Sequence, residues 1–302
     1  MLLVGVLAAS SSSILVRYAQ HEGVASIAVA AWRMLLASLI LVPLAAATRR
    51  SEIARIGPRD ALVAALAGVF LAAHFMAWIS SLEYTSVASS AALVTTNPVW
   101  VGLATVFLFR ERLAGLTVLG ITISLAGCLL ILWADMGIGE SAGEAATAHA
   151  RQPMLGNLLA LAGALGVSAY LLTGRSVASR FSLLAYVTLV YGAAALVLLL
   201  VAAALGIPLS GYSAAAWWAL TGLALGPQLI GHTAFNWSLR RLSPTFVALA
   251  ILGEPVGSAV LAGVLFTEIP TGLQAAAFAV LLSGIVVAAL GERRSQQPGT
   301  AA

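Results

Sequence analysis

The chain has 302 residues, of which 61% are apolar and only 9% are charged. A soluble domain carries about a quarter charged residues, so the composition excludes a water-soluble globule and indicates an integral membrane protein. All 15 basic residues are arginine, which excludes a lysine-dependent phosphate loop or Schiff base. The net charge of +4 does not indicate nucleic-acid binding, because the arginines are dispersed between apolar runs.

Ten apolar stretches predict ten transmembrane helices, since each crossing needs about 20 apolar residues. In chain order they are residues 2–18, 24–47, 61–82, 87–109, 113–133, 154–172, 183–205, 214–239, 245–266 and 272–290. One long polar connection divides them five and five. We therefore expect a first five-helix repeat over 1–135, an outer tether over 136–153, a second repeat over 154–291 and a cytoplasmic tail over 292–302.

The arginines predict the orientation of these helices. With the N-terminus in the cytoplasm, twelve arginines fall in cytoplasmic segments, Arg17 and Arg151 fall outside, and Arg33 falls within a span. Cytoplasmic loops are enriched in arginine. Both termini are therefore expected in the cytoplasm and the protein in the inner membrane, and Arg33 is interpreted as a structural or snorkelling residue.

The two halves are similar to each other when shifted by 157 residues. Pro98-Val99 then meets Pro255-Val256, and Gly115-Leu116 meets Gly272-Leu273. The charges differ in an informative way, because Glu83-Tyr84 stands opposite Arg240-Arg241. An odd number of crossings per repeat places equivalent loops on opposite sides of the bilayer, so this reversal indicates an inverted repeat. The predicted fold is an all-α membrane protein of ten helices in two inverted five-helix repeats.

The segments NPVWVGLATVFLFRERL and GEPVGSAVLAGVLFTEIPTGL resemble the drug/metabolite transporter superfamily, EamA type, and so does Trp32-Arg33 in the second span. The resemblance covers nearly the whole chain and implies a secondary transporter of small molecules. Within it, the polar and aromatic content is similar to the aromatic-amino-acid exporter branch, the YddG type. One departure is Asn97 where the second half has Glu254, so the resemblance does not imply two symmetric carboxylates.

Several residues within the spans are candidates for a wet central cavity. Glu254 is the one acid deep within a predicted span, and such a carboxylate indicates function by default. Pro98 and Pro255 are expected to kink their helices beside the cavity. The predicted cavity residues are His74, Trp78, Asn97, Trp100, Tyr170, Gln228, His232, Asn236, Glu254 and Ser12. Neither a metal nor a cofactor is expected, because nothing completes a ligand set around the histidines.

These residues support three functional hypotheses. The leading one is an exporter of amino acids, aromatic or neutral, working by alternating access. Glu254 would face the ammonium group of the amino acid, and the helix ends at the prolines would face its carboxylate. Trp78 or Trp100 would face its side chain. The second is a broad exporter of lipophilic cations, with Glu254 exchanging protons. The third is an intramembrane serine protease, in which Ser168 would be the nucleophile and His232 the base. The expected partners are a small-molecule substrate and the lipid bilayer, with no nucleic acid and a monomeric chain.

Overall fold

The structure is a computed structural model that describes residues 2–107, 110, 113–136, 152–231, 234 and 252–295. All regular structure in these residues is helical. The α-helices are α1 (Leu2–His21), α2 (Ser26–Thr48), α3 (Arg50–Ile53), α4 (Pro58–Ser81), α5 (Val87–Val94), α6 (Asn97–Phe107), α7 (Gly115–Asp135), α8 (Pro153–Ala178), α9 (Leu183–Ala204), α10 (Ala214–Leu223), α11 (Gly253–Phe266) and α12 (Gly272–Ser295). A π-helical segment, Ala224–Gly231, continues α10.

Eight described helical stretches are long and apolar enough to cross a bilayer. Helix α11 is apolar but shorter. The first seven residues of the predicted ninth span, 245–251, lie outside the described residues, as do the last eight residues of the predicted eighth span except 234. The sequence-based prediction of a multi-pass, all-helical membrane protein is confirmed.

The predicted fourth span is two half-helices rather than one helix. Helix α5 ends at Val94, and α6 begins at Asn97 with Pro98 as its second residue, where a missing N–H costs no helical hydrogen bond. The Thr95 and Thr96 side chains donate to the carbonyls of the preceding turn, at 2.8 and 2.7 Å. These hydroxyls satisfy backbone groups that the break leaves without helical partners.

A second irregular segment follows α10. The helix widens into the π-helical segment at Ala224, and Pro227 lies within it. π-helical turns are rare and are found at functional sites more often than elsewhere. The sequence analysis predicted a continuous helix there and did not single out Pro227.

Helices α7 and α12 form an extensive antiparallel pair. A Cβ added at Gly127 would lie 2.5 Å from the Leu281 nitrogen, and one at Gly284 would lie 2.4 Å from the Ser124 nitrogen. These contacts are too short for any side chain, so the glycines allow the two backbones to touch. Further along, α4 packs on α8, α9 packs on α2 and α4, and α1 packs on the π-helical segment and α11.

The short connections give the bundle two distinct ends. The connections from α2 to α4, from α6 to α7 and from α8 to α9 lie at one end, which we call the Arg-rich end; its described arginines are Arg49, Arg50, Arg55, Arg59, Arg110, Arg175, Arg180 and Arg293. The connections from α1 to α2, from α4 to α5 and from α11 to α12 lie at the other end, which we call the closed end.

Candidate functional site

A cavity of about 800 Å³ lies between the helices, and α1, α2, α4, α8, α9 and α11 all contribute to its wall. Both irregular segments face it, through Thr95 and Asn97 at one break and through Pro227 and Gln228 in the π-helical segment. At the Arg-rich end the lining continues to Arg175, which is exposed. The cavity therefore extends from the interior of the bundle to the surface at the Arg-rich end.

The structure brings most of the predicted site residues together. Those that line the cavity are Ser12, His74, Trp78, Asn97, Tyr170, Gln228 and Glu254. Trp100 lies outside the lining, because its indole nitrogen turns back to the Thr96 hydroxyl at 3.0 Å. His232 and Asn236 lie outside the described residues. Pro98 is exposed, and Pro255 borders a separate apolar groove beside α5 and α12.

His74 is oriented by the close contact between α4 and α8. A Cβ at Gly166 would lie 2.9 Å from the His74 Cα, and one at Gly163 would lie 3.0 Å from the Trp78 Cβ. This proximity places the His74 Nδ1 at 2.8 Å from the Gly163 carbonyl oxygen. A carbonyl only accepts, so Nδ1 carries a proton in this hydrogen bond. The sequence analysis did not single out these glycines.

Arg33 is buried in the cavity wall with 3% of its surface exposed. Its Nε donates to Gln228 Oε1 and its NH1 donates to Ser12 Oγ, both at 2.8 Å. The guanidinium carbon lies 4.5 Å above the centre of the Phe75 ring, within cation–π range. The interpretation of Arg33 as a snorkelling residue is therefore wrong, because its side chain points into the bundle and not to an interface.

Glu254 lies across the same cavity on α11, half-buried. Its backbone carbonyl accepts a 3.3 Å hydrogen bond from Ser10, and Arg33 and Glu254 make no N–O contact within 4.0 Å, although the two charges interact at longer range. Glu254 is thus not paired with Arg33. In the interior of the cavity, Arg33 and Glu254 are oppositely charged side chains that are not bonded to each other.

Aromatic side chains that the sequence analysis missed cover much of the wall. Phe75, Phe181, Tyr186 and Tyr191 all line the cavity. Their phenyl and phenol rings are amphipathic surfaces that suit a ligand with an apolar side chain. Aromatic residues recur at positions 181, 186 and 191 of the sequence, but a five-residue spacing does not place side chains on one helix face, so the pattern did not predict a shared wall.

Ser168 lies in the middle of α8 and not on a turn. Its hydroxyl donates to the Ala164 carbonyl at 2.7 Å and contacts the Asn97 carbonyl at 3.2 Å, which is the ordinary bonding of a helical serine. This position gives no support to the serine-protease hypothesis, and His232, its proposed base, lies outside the described residues.

The closed end contains a buried ion pair. Arg17 NH1 lies 2.7 Å from Glu268 Oε1, and the two residues are 4% and 7% exposed. Arg17 also donates to the Thr85 carbonyl at 2.9 Å, while the Val87 amide donates to Glu268 at 2.8 Å. The pair thus joins α1, the start of α5 and the α11–α12 connection. Arg17 was assigned from sequence to an outer segment; it lies within α1 and is buried.

Comparisons with known proteins agree with this architecture. The EamA-like transporter family matches residues 1–133 and 154–290. The uncharacterized transporter YetK of Bacillus subtilis is 30% identical over 129 residues, which is 43% of this chain and 36% of that protein. The match thus spans about a third of that relative. One solved crystal structure shares the fold with a TM-score of 0.66 at 23% identity, covering 98% of this chain and 97% of the other. The chain belongs to the EamA-like transporter family.

Proposed function

We propose that the protein is a secondary transporter that exports amino acids, aromatic or neutral, across the inner membrane by alternating access. The main support for this proposal is the cavity, in which an acidic side chain, Glu254, and a cationic one, Arg33, lie within one aromatic wall. An amino acid carries one charge of each sign beside an uncharged side chain, so the cavity and this ligand class are complementary.

We further propose ten membrane spans in two inverted repeats, 1–135 and 154–291, joined by the tether 136–153 and followed by the tail 292–302. The helix bounds support this division, because equivalent bounds recur after 157 residues: α1 ends at His21 and α8 at Ala178, α2 begins at Ser26 and α9 at Leu183, and α7 begins at Gly115 and α12 at Gly272. The two stretches that the family matches have nearly the same limits.

The contact between α7 and α12 supports the inversion. The same 157-residue shift relates Gly127 to Gly284 and Ser124 to Leu281. The contact of Gly127 with Leu281 therefore has its equivalent in the contact of Gly284 with Ser124, and both occur. Two equivalent helices that cross each other antiparallel while exchanging contacts in this way are related by an axis in the membrane plane, as in inverted-repeat transporters.

Alternating access requires that one end of the cavity be closed while the other is open. The lining reaches exposed residues at the Arg-rich end, and the Arg17–Glu268 pair lies across the closed end. The excess of arginine supports a cytoplasmic location for the Arg-rich end and for both termini. In this arrangement the binding site faces the cytoplasm, where an exporter collects its substrate.

The test is counterflow of radiolabelled L-phenylalanine into proteoliposomes, with unlabelled amino acids, cations and nucleotides as competitors. The Glu254→Gln variant is expected to lose about tenfold or more in phenylalanine affinity, because a hydrogen bond to a charged group contributes roughly 1.5–3 kcal/mol. Affinity for 3-phenylpropionate, which lacks the ammonium group, is expected to stay unchanged. The control is Glu22→Gln, whose carboxylate contacts Ser213 outside the cavity. Wild-type counterflow of phenylalanine by Glu254→Gln would contradict the ammonium role.

Export of lipophilic cations is a second candidate function, favoured by the aromatic wall around a single described carboxylate. The buried guanidinium of Arg33 in the same wall opposes it, since a like charge repels a cation. Competition with tetraphenylphosphonium separates the two candidates. If tetraphenylphosphonium displaces bound phenylalanine only at a far higher concentration than unlabelled phenylalanine does, the amino-acid hypothesis is favoured.

A further inference from the structure

Arg33 is a cation deep within a span, about 10 Å along α2 from Ser26, its first residue. Its guanidinium has five N–H donors, and two of them bond Gln228 and Ser12. Both of those partners are neutral. Among the residues that the structure describes, the remaining three donors have no acceptor.

The charge of Arg33 is likewise uncompensated at close range. Within the described ranges, no carboxylate oxygen lies within 4.0 Å of its guanidinium. A charge removed from water without a partner is costly, and intramembrane arginines are normally paired. Arg17 follows that rule through Glu268. Arg33 departs from it, and it does so in the wall of a cavity large enough for a small ligand.

A second donor in the same wall lacks a partner. The indole nitrogen of Trp78 is buried and makes no hydrogen bond with any described residue, and Trp78 itself is 5% exposed. An unsatisfied buried donor costs about 1–3 kcal/mol. The Arg33 guanidinium lies 5.8 Å from the Trp78 ring centre, so the two donor groups are neighbours, and a single carboxylate could accept from both.

We infer that Arg33 binds the carboxylate of the transported amino acid, with the Trp78 indole N–H as the second donor. This inference rests on the proposed function and deepens it. It differs from the sequence-based expectation, in which helix ends at the prolines face the carboxylate. Gln228 and Ser12 hold the guanidinium in place, Glu254 takes the ammonium group, and the aromatic residues surround the side chain.

The alternative is that Arg33 only joins α2 to α1 and to the π-helical segment. Ligands that differ in one group separate the two roles. In the full-length protein, L-phenylalanine is compared with phenylethylamine, which lacks only the carboxylate, as competitors of counterflow. Wild type is expected to prefer phenylalanine by roughly 10- to 100-fold, the effect of one hydrogen-bonded charge pair.

The variant Arg33→Gln is expected to lose this preference, so that the ratio of the two affinities falls to about one while phenylethylamine still binds. Arg33→Lys keeps the charge without the planar fork and is expected to retain part of the preference. Arg180→Gln removes an exposed arginine that pairs with Asp60 and is expected to leave the ratio at the wild-type value.

Two outcomes would overturn the inference alone. One is equal affinity of wild type for phenylalanine and phenylethylamine, which needs no variant and so decides the matter even if Arg33→Gln does not fold. The other is a loss of affinity by the same factor for both ligands in Arg33→Gln, which marks a structural role. If wild type carries no amino acid at all, the proposed function fails, and the inference with it.

Discussion

Two arginines are buried among the described residues, Arg17 and Arg33. They differ in their partners, and the difference distinguishes the two ends of the bundle. Arg17 has a carboxylate at 2.7 Å and joins three segments at the closed end. Arg33 has only neutral hydrogen-bond partners, beside an open cavity. A paired charge holds helices together, whereas an unpaired one remains available for a ligand. Position within a span does not by itself distinguish structural from functional charges; their partners do.

The ends also differ in how polar contacts are distributed. At the closed end, hydrogen bonds connect Gln20 and Ser26 to α4, and Asn157 and Gln274 to Asp135. The Arg-rich end has two described polar links between separate helices, Glu52 with Ser182 and Arg180 with Asp60. Many hydrogen bonds thus join the helices at the closed end, and few join them at the Arg-rich end. This asymmetry is the one expected of a single state of an alternating-access transporter.

The largest expected loss of stability follows from breaking the Arg17–Glu268 ion pair at the closed end. Glu268→Gln leaves the Arg17 charge buried without a counterion, which should cost about 3–5 kcal/mol. Thermal unfolding of the detergent-solubilised protein measures the loss. The double variant Arg17→Met, Glu268→Leu removes both charges and should recover most of it. The exposed pair offers the control, since Arg180→Gln should change stability by less than about 1 kcal/mol. Equal melting temperatures for Glu268→Gln and Arg180→Gln would show that burial does not distinguish the pairs.

The sequence was sufficient for eight of the ten predicted spans and for the polar cavity residues that stand isolated in them, because both follow from hydropathy alone. It failed where the answer depends on contacts between distant segments. Arg17 and Glu268 are 251 residues apart, and each falls near the end of an apolar run, so each was assigned to a loop or a span end. The close approach of Gly163 and Gly166 to α4, which orients His74 and Trp78, is equally invisible without the packing.

An intermediate loss of stability is expected when the contact between α7 and α12 is disturbed. These two helices extend between both ends of the bundle. Gly127→Ala and Gly284→Ala each insert a Cβ within 2.5 Å of a partner backbone nitrogen, and such overpacking costs about 1–3 kcal/mol. Because the two sites are equivalent under the proposed repeat, their losses of unfolding free energy should be similar. Gly192→Ala, on α9 with nothing within 4 Å of the new Cβ, should be neutral or slightly stabilising. A large loss at one glycine and none at the other would contradict the equivalence.

The smallest change in stability is expected from a substitution at the Arg-rich end. Hydrogen bonds from the Ser182 amide and hydroxyl hold the pKa of the Glu52 carboxyl below its ordinary value of 4.5. A lowered folded-state pKa adds stability above the ordinary pKa, and this stability is lost as pH falls through the lowered value. Wild type should therefore melt slightly above Glu52→Gln at neutral pH, and the gap should close in acid. A gap independent of pH would show that the carboxylate charge does not matter.

The most direct test of the contrast between the two arginines is the melting temperature of wild type, Arg17→Gln and Arg33→Gln, each with and without saturating L-phenylalanine. A ligand that binds only the folded state raises the free energy of unfolding by RT ln(1 + L/Kd), where L is the free ligand concentration. Arg17→Gln should melt well below wild type yet keep the ligand-induced rise. Arg33→Gln should melt near wild type and lose that rise. A ligand-induced rise in Arg33→Gln equal to that of wild type would contradict the assignment of the unpaired arginine to the substrate.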